Sequence, residues 1–363
     1  MPLIIPHADT RKQAVEVRLQ ERHALEGRVR HWEEYFARQA PIRPLSLDPG
    51  WLTVLAKALK HQVYVVEAVE GDRTRGVLLL AYVSSLLFGR YLVSLPYLNY
   101  GGVLADDDSI AQQLLDRAVV LADQLKVRYL EVRHQHLIAH PAFGTCRTDK
   151  VNMRLDLPAS SEELWTGLDG KVRNQIRKAQ KSDLTVAWGT GDLLDDFYRV
   201  FSHNMRDLGT PVYGKRLFRL ILDQFPGRSE ICVVRAGSTP TAAGMLLHGF
   251  GVSEVPSASS LRRYNPTCAN MLLYWHMLER SVQRGQDFFD FGRSSRDSAT
   301  FSFKKQWGAQ PLDSIWQYYL RTGDPQDSKR DSPRFRFLVR LWQRLPVRLT
   351  RMLGPLIVRG IPA

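Results

Sequence analysis

Apolar residues along the chain fall into two alternating patterns. Gln62–Val69 and Gly76–Ser84 are nearly unbroken apolar runs on either side of a charged turn, Glu70–Arg75. Runs of that length rich in Val, Leu and Tyr predict a hairpin of strands buried on both faces. A third strand is predicted around Tyr91–Leu95, ending in Pro96-Tyr97-Leu98-Asn99-Tyr100-Gly101-Gly102. The period then changes to that of a helix. It starts within Asp106–Ser109, with Ser109 or Asp108 as N-cap and acidic residues at the positive end of the helix dipole, and runs to about Lys126. Arg128–Arg133 is the next strand. Ahead of this block, Arg11–Arg38 reads as one charged helix with a ragged apolar face (Val15, Leu19, Leu25, Val29, Trp32, Phe36). Pro41 and Pro44 end it, and a short helix follows at Trp51–Lys60.

The same order returns in the second half. Ile231–Arg235 is a strand, Gly237–Pro240 a turn and Thr241–Phe250 the return strand. Val252–Ser259 continues the sheet, Thr267–Arg284 is a helix, and Asp287–Phe291 is the strand after it. The offset is roughly 160–170 residues, a repeat of pattern without residue identity. Pattern alone leaves open two unrelated α/β segments. A helical insert lies between the halves, starting at Ser160-Ser161-Glu162-Glu163 and continuing as Lys171–Lys181. The expected domains are 1–158, 159–320 with the insert, and a linker and tail at 321–363.

Charge changes the picture at the C terminus. The 363 residues carry a net charge of +13. After a polar linker at Arg321–Ser332, Pro333–Arg359 places Phe337, Leu341, Leu345 and Leu349 at i+4 spacing beside Arg336, Arg340, Arg344 and Arg348. Such a basic amphipathic segment, divided by Pro346 and Pro355, suits an anionic membrane surface or packing on the core with arginines in solvent. Three cysteines far apart, with no CxxC pair, predict reduced thiols. The N terminus shows no apolar signal region, and Gly76–Leu98 reads as strands rather than a membrane span. The expectation is a cytoplasmic protein, peripheral on the inner membrane face if the tail binds lipid. The sequence leaves oligomeric state open.

Candidate chemistry centres on Asp287–Gly308, DFFDFGRSSRDSATFSFKKQWG. Phe288–Phe291 and Thr300–Phe303 both read as strands, joined through a Gly292-Arg293 turn, and Lys304 and Lys305 follow beside Trp307. Cations there suit an anionic or carbonyl-bearing group. Asp290 and Arg293 flank the turn as substrate contacts or as a structural pair. On the insert helix Arg173, Arg177 and Lys181 share a face, which is either a solvated basic face or one that a phosphate would bridge. Asn204–Val212 (NMRDLGTPV) ends a helix at Gly209; its charges either cap and staple that helix end or offer Arg206 and Tyr213 to substrate and Asp207 as a proton acceptor. Asn99 and Tyr100 sit at a strand end, where α/β sheets meet ligands. His134, His136 and His140 lack the spacing of a metal site, and no metal is expected.

The run FDFGRS…FxFKKxWG, with KVRNQIRKAQKSDLTV (171–186), LPYLNYGGV (95–103), NMRDLGTPV and ANMLLYW (269–275), resembles the Fem-type branch of the GNAT-fold N-acyltransferases. The nearest group is the FemAB-like proteins associated with exosortase/PEP-CTERM systems. The resemblance implies an α/β fold of tandem GNAT-like domains. It also implies transfer of an aminoacyl or acyl group to an amine on a phosphate-bearing glycan precursor of the cell envelope or exopolysaccharide. Lys304 aligns with the Phe-Lys whose lysine positions the donor's carbonyl or terminal nucleotide. GNAT enzymes that use acyl-CoA carry a glycine loop whose N–H groups bind pyrophosphate. The equivalent Arg262–Asn270 has no glycine, and Tyr100-Gly101-Gly102 precedes three aspartates. The co-substrate expected is therefore aminoacyl-tRNA, with acyl-CoA as the alternative and no bound cofactor. A degenerate fold acting as a non-catalytic adaptor in exopolysaccharide assembly is the reading from another class.

Overall fold

The computed structural model describes residues 14–322 and 333–362, side chains of 22–26 and 333–335 apart. Leu25, placed above on the first apolar face, is among those side chains, and most of the linker lies outside the described residues.

The chain opens with a strand, β1 (Glu16–Glu21), and then α1 (Arg22–Gln39), where a single helix was expected. β1 pairs antiparallel with the next strand from Glu16↔Val69 to Glu21↔Tyr64, and this edge pairing overrides local helix propensity. A 3₁₀ turn at Leu45–Leu47 leads to α2 (Gly50–Ala58). The predicted hairpin follows as β2 (Gln62–Glu70) and β3 (Arg73–Ser85), with β4 (Gly89–Val93), β5 (Leu104–Ala105), α3 (Asp108–Gln124) and β6 (Tyr129–His134) after it. The N-cap of α3 is Asp107, whose side chain accepts from Ile110 N, in place of Ser109 or Asp108. Next come β7 (Thr145–Arg147), β8 (Lys150–Asp156), α4 (Ser161–Gly167) and α5 (Gly170–Gln180). Ser160 caps α4 through Glu163 N, as the Ser-Ser-Glu-Glu signal predicts.

The second block contains β9 (Leu184–Gly189), α6 (Leu194–Leu208), α7 (Lys215–Gln224), β10 (Ser229–Ala236), β11 (Thr239–His248) and β12 (Val252–Ser260). It continues with α8 (Ala269–Gln283), β13 (Phe288–Ser295), α9 (Ala299–Lys305), β14 (Gln310–Asp313) and β15 (Ile315–Leu320). The tail is α10 (Pro333–Arg344) and α11 (Val347–Val358), parted at Pro346 as expected, whereas Pro355 lies inside α11 and does not divide it. No helix among the described residues is long and apolar enough to cross a membrane.

The repeat of pattern is a repeat of topology. One sheet runs β1-β2-β3-β4-β6-β15-β7, with β5 on β3, and the other β14-β8-β13-β12-β11-β10-β9. In each, an antiparallel meander ends in a strand that pairs in parallel with the strand beyond a helix: β4 with β6, and β12 with β13. The division at 158/159 and 320/321 does not follow the sheets. β8 precedes the first boundary yet lies in the second sheet, and β15 crosses back to pair with β6 and β7.

Side chains alternate between separate cores, as a strand's period of two requires. Val63, Val65, Ile231 and Val233 enter a shared central core with α2, α6 and α7. Tyr64 and Val66 face α3, while Cys232 and Val234 face α5 and α8. Both faces of each sheet are thus covered, which explains the unbroken apolar runs. A buried ion pair lies within β6, where Arg133 Nε donates to Glu131 Oε1 at 2.7 Å, and β15 reaches it through Tyr318 Oη, which donates to Glu131 Oε2 at 2.9 Å. Arg133→Met leaves Glu131 buried without its cation, so a loss of about 3–5 kcal/mol is expected from the urea midpoint.

Candidate functional site

β12 and β13 pair for only three residues, Val252↔Phe288, Ser253↔Phe289 and Glu254↔Asp290, and then part. Each leaves through a bulge. On β12, Met245↔Ser257 and Leu247↔Glu254 set three steps against two. On β13, Asp290↔Arg154 and Arg293↔Asn152 do the same, with Gly292 at φ 78°, a left-handed conformation that favours glycine. The expected Gly292-Arg293 turn is therefore a bulge inside one strand. A cavity of about 300 Å³ opens where the strands separate, at the carboxyl end of parallel strands, where ligands of α/β sheets sit.

The second run, Thr300–Phe303, is helical (α9), not a strand. Ser298 caps it by accepting from Phe301 N at 3.1 Å. Its aromatic alternation misled because Phe303 and Trp307 are an i,i+4 pair, with Phe303 packed edge-on against Tyr274. The helix also decides between the two lysines. Lys304 is buried, and Lys305 is exposed. Lys304 Nζ donates to the carbonyls that the bulge frees, Gly292 O at 2.9 Å and Arg293 O at 2.8 Å. An ammonium has three donors, so one remains for the cavity that Lys304 lines. Burial lowers the Lys304 pKa to about 8, opposed by the charge of Asp290.

Arg293 leaves the bulge toward the first half. Its Nε donates to Asn99 Oδ1 at 3.0 Å, and its guanidinium lies 4.4 Å from the Trp316 ring centre. Arg133 occupies a position 4.2 Å from that ring, and burial, together with this second cation, lowers the Arg293 pKa to about 9. Asp290 accepts from Tyr100 Oη at 2.5 Å and Gly292 N at 2.6 Å, while burial raises its pKa.

Sequence reasoning missed Glu254 altogether. It lies fully buried at the last paired position of β12, and its carboxylate accepts from Ser46 N at 2.8 Å and Ser46 Oγ at 2.7 Å. Burial and then Asp290 push its pKa up to about 8. A lone Glu in VSEVPS gives no local signal. Tyr97 and Tyr274 also line the cavity. Leu95 and Tyr97 hold positive φ values of 48° and 72°, so the loop that closes the cavity is strained.

The structure thus brings Asn99, Arg293 and Lys304 to one cavity, with Tyr100 and Asp290 bonded at its wall. Tyr213 stands behind Tyr97, ring centres 5.6 Å apart. Asp207 and Arg206 are elsewhere. They pair with each other at 2.6 Å, and Gln343 of α10 donates to Asp207 O, so they tie the end of α6 to the tail. Arg173 and Arg177 lie on α5 and do not line the cavity; Arg177 sits over Trp165. His134 is buried against Gly102, His140 pairs with Asp116, and the described residues contain no group of three or more metal-ligating side chains.

The equivalent gap in the first sheet is filled. Beyond Val93↔Glu131, Ser94 Oγ accepts from Arg133 N at 2.9 Å, and Arg133 Nη1 donates to Leu98 O at 2.6 Å. A Cβ at Gly101 would collide with Ser94 O, so that glycine serves close packing rather than phosphate binding. In the second half, Arg262–Thr267 is a 3₁₀ turn bounded by the bonds Tyr264 N→Leu261 O and Cys268 N→Asn265 O.

Two sheets of repeated topology, one parted between parallel strands, make this a tandem GNAT-like fold. Residues 169–305 match the family described as Acetyltransferase (GNAT) domain. FemX shares the fold with a TM-score of 0.60 at 14% identity, over 86% of this chain and 98% of that one. A tandem GNAT protein from the clavulanic acid biosynthesis pathway gives 0.56 at 13% identity, over 85% and 100%. The C-terminal domain of a putative lysylphosphatidylglycerol synthetase from Agrobacterium fabrum gives 0.54 at 10%, over 82% and 93%. No curated protein sequence matches the chain.

Proposed function

We propose that the protein is an N-acyltransferase that moves an aminoacyl or acyl group to an amine on a phosphate-bearing cell-envelope or exopolysaccharide precursor. The observation that carries this reading is the cavity between β12 and β13, where a buried ammonium with an unspent donor and a carboxyl of raised pKa line one space. Lys304 would donate to the oxyanion that develops as the amine attacks the donor carbonyl. Glu254, with a pKa near the working pH, would take the proton from the attacking amine. It assumes the role first assigned to Asp207. Arg293, bonded to an amide rather than a carboxylate, would hold the anionic part of a substrate in place of Arg173 and Arg177. A non-catalytic adaptor has no use for these pKa displacements, which lower the stability of the fold.

The donor is tested by binding charged tRNA to the purified protein at two salt concentrations, with and without excess acyl-CoA. Specific binding of charged tRNA that acyl-CoA leaves unchanged is expected, because Arg262–Asn270 carries no glycine for a pyrophosphate loop. Displacement by acyl-CoA would make the donor a thioester held in an unusual way. Binding of neither would sink the acyltransferase reading.

A further inference from the structure

The tail leaves an apolar surface uncovered. On α11, Leu349, Met352, Leu353 and Leu356 follow the i, i+3, i+4, i+7 spacing of one helix face, and all are exposed, Met352 to 69% and Leu356 to 63%. Phe337, Leu338 and Leu341 are likewise exposed on α10. These faces are not waiting for the domain, because α11 already meets it with the opposite side. Thr350, Gly354 and Val358 are buried, and a Cβ at Gly354 would lie 2.7 Å from Val212 N. Arg351 Nε donates to Ser202 Oγ at 2.8 Å.

A segment distant in sequence adds to the same end of the molecule. The turn between β3 and β4 carries Leu86, fully exposed, and Leu87, 81% exposed. This tip is beside the end of α11: a Cβ at Gly360 would come 2.7 Å from Ser85 Cβ and 3.3 Å from Phe88 Cδ2. Exposed leucines clustered on two neighbouring elements are unusual for a surface with no partner.

The charge around them identifies the partner. Arg336, Arg340, Arg344 and Arg348 are exposed beside the apolar stripe, and 333–363 contains no acidic residue. A groove of about 860 Å³ between α6 and the tail adds Arg199, Lys215 and Arg351, against Asp195 and Asp196. An apolar plane rimmed by arginines matches the acyl chains and phosphates of an anionic bilayer.

We propose that α10, α11 and the β3–β4 tip form one docking surface for an anionic phospholipid bilayer. The surface adjoins the cavity, since Tyr97, which lines it, donates from Oη to Arg359 O at 2.8 Å. The inference does not depend on the acyl-transfer reading, because vesicle binding is read without turnover.

The test is flotation of the full chain with phosphatidylcholine vesicles, with and without phosphatidylglycerol. Binding only to the anionic vesicles, weakened by salt, is expected. The pair Leu86→Asp and Leu87→Asp should weaken it about tenfold or more with an unchanged circular dichroism spectrum. Met352→Asp with Leu356→Asp should do the same. Deleting the tail is a poor test, because it would uncover the face of α6 that α11 packs on. Equal binding to both vesicle types, or wild-type affinity in the tip variant, would overturn the proposal. So would a dimer by light scattering that these substitutions split, because a second copy would then be the occupant.

Discussion

Replacing Lys304 with methionine should lower the acyl-transfer rate about 10²–10³-fold, the usual loss for one donor to a developing oxyanion. The loss should fall on kcat with little change in KM, because the third N–H is used only as the carbonyl oxygen gains charge. A variant with wild-type kcat would remove Lys304 from the chemistry and favour the adaptor reading. Folding is not a neutral control here. Lys304 Nζ serves the carbonyls of Gly292 and Arg293, and leaving them unpaired should cost roughly 1–3 kcal/mol. The kinetics are therefore read well below the variant's own melting temperature. The pH profile separates the roles further. Burial holds the Lys304 pKa at about 8, so the ammonium and the rate fall together as pH rises through that value. In Lys304→Met this alkaline limb should vanish.

Glu254→Gln should have two opposite effects. Transfer should fall by about 10²–10⁴-fold as the proton acceptor is lost, and the acidic limb of the pH profile should vanish with it. Stability should rise, and only at higher pH. The folded-state pKa of Glu254 is about 8, against an ordinary 4.5. Its stabilising contribution is complete below 4.5 and is lost as pH rises to 8, because the folded state must then ionise a buried carboxyl. Gln cannot ionise, and its amide oxygen can still accept from Ser46. Relative to the wild type, the variant should gain nothing near pH 4 and up to about 4 kcal/mol at pH 8. Paired thermal melts at the two pH values measure it. Parallel melting curves across that range would show that Glu254 is not held neutral by burial.

Much of the architecture follows from local pattern. The β2–β3 hairpin and the β10–β11 pair were legible because strands covered on both faces read as apolar runs. The helices α3, α4 and α8 announced themselves by period, and α4 by its Ser160 cap. Gly209, at φ 75°, ends α6 where Gly and Pro predicted. Asn99, Tyr100, Asp290, Arg293 and Lys304 were all named from sequence, because chemistry-bearing residues beside strand ends and glycines mark where an α/β sheet opens.

Local pattern thus carries the set of elements, their repeated order and most of the polar residues around the cavity. Which residues share a space was settled by long-range packing. β1 became a strand because it found an edge to pair with, and α9 became a helix because Phe303 and Trp307 found Tyr274. β15 returned to the first sheet, a pairing between residues far apart in the chain that no local periodicity encodes. Asp207 stood between base and helix-end staple until its side chain met Arg206, and Glu254 looked like nothing until Ser46 came to it across 208 positions of sequence. Desolvation makes a carboxyl reactive, and desolvation is supplied by neighbours that the chain brings together only when it folds.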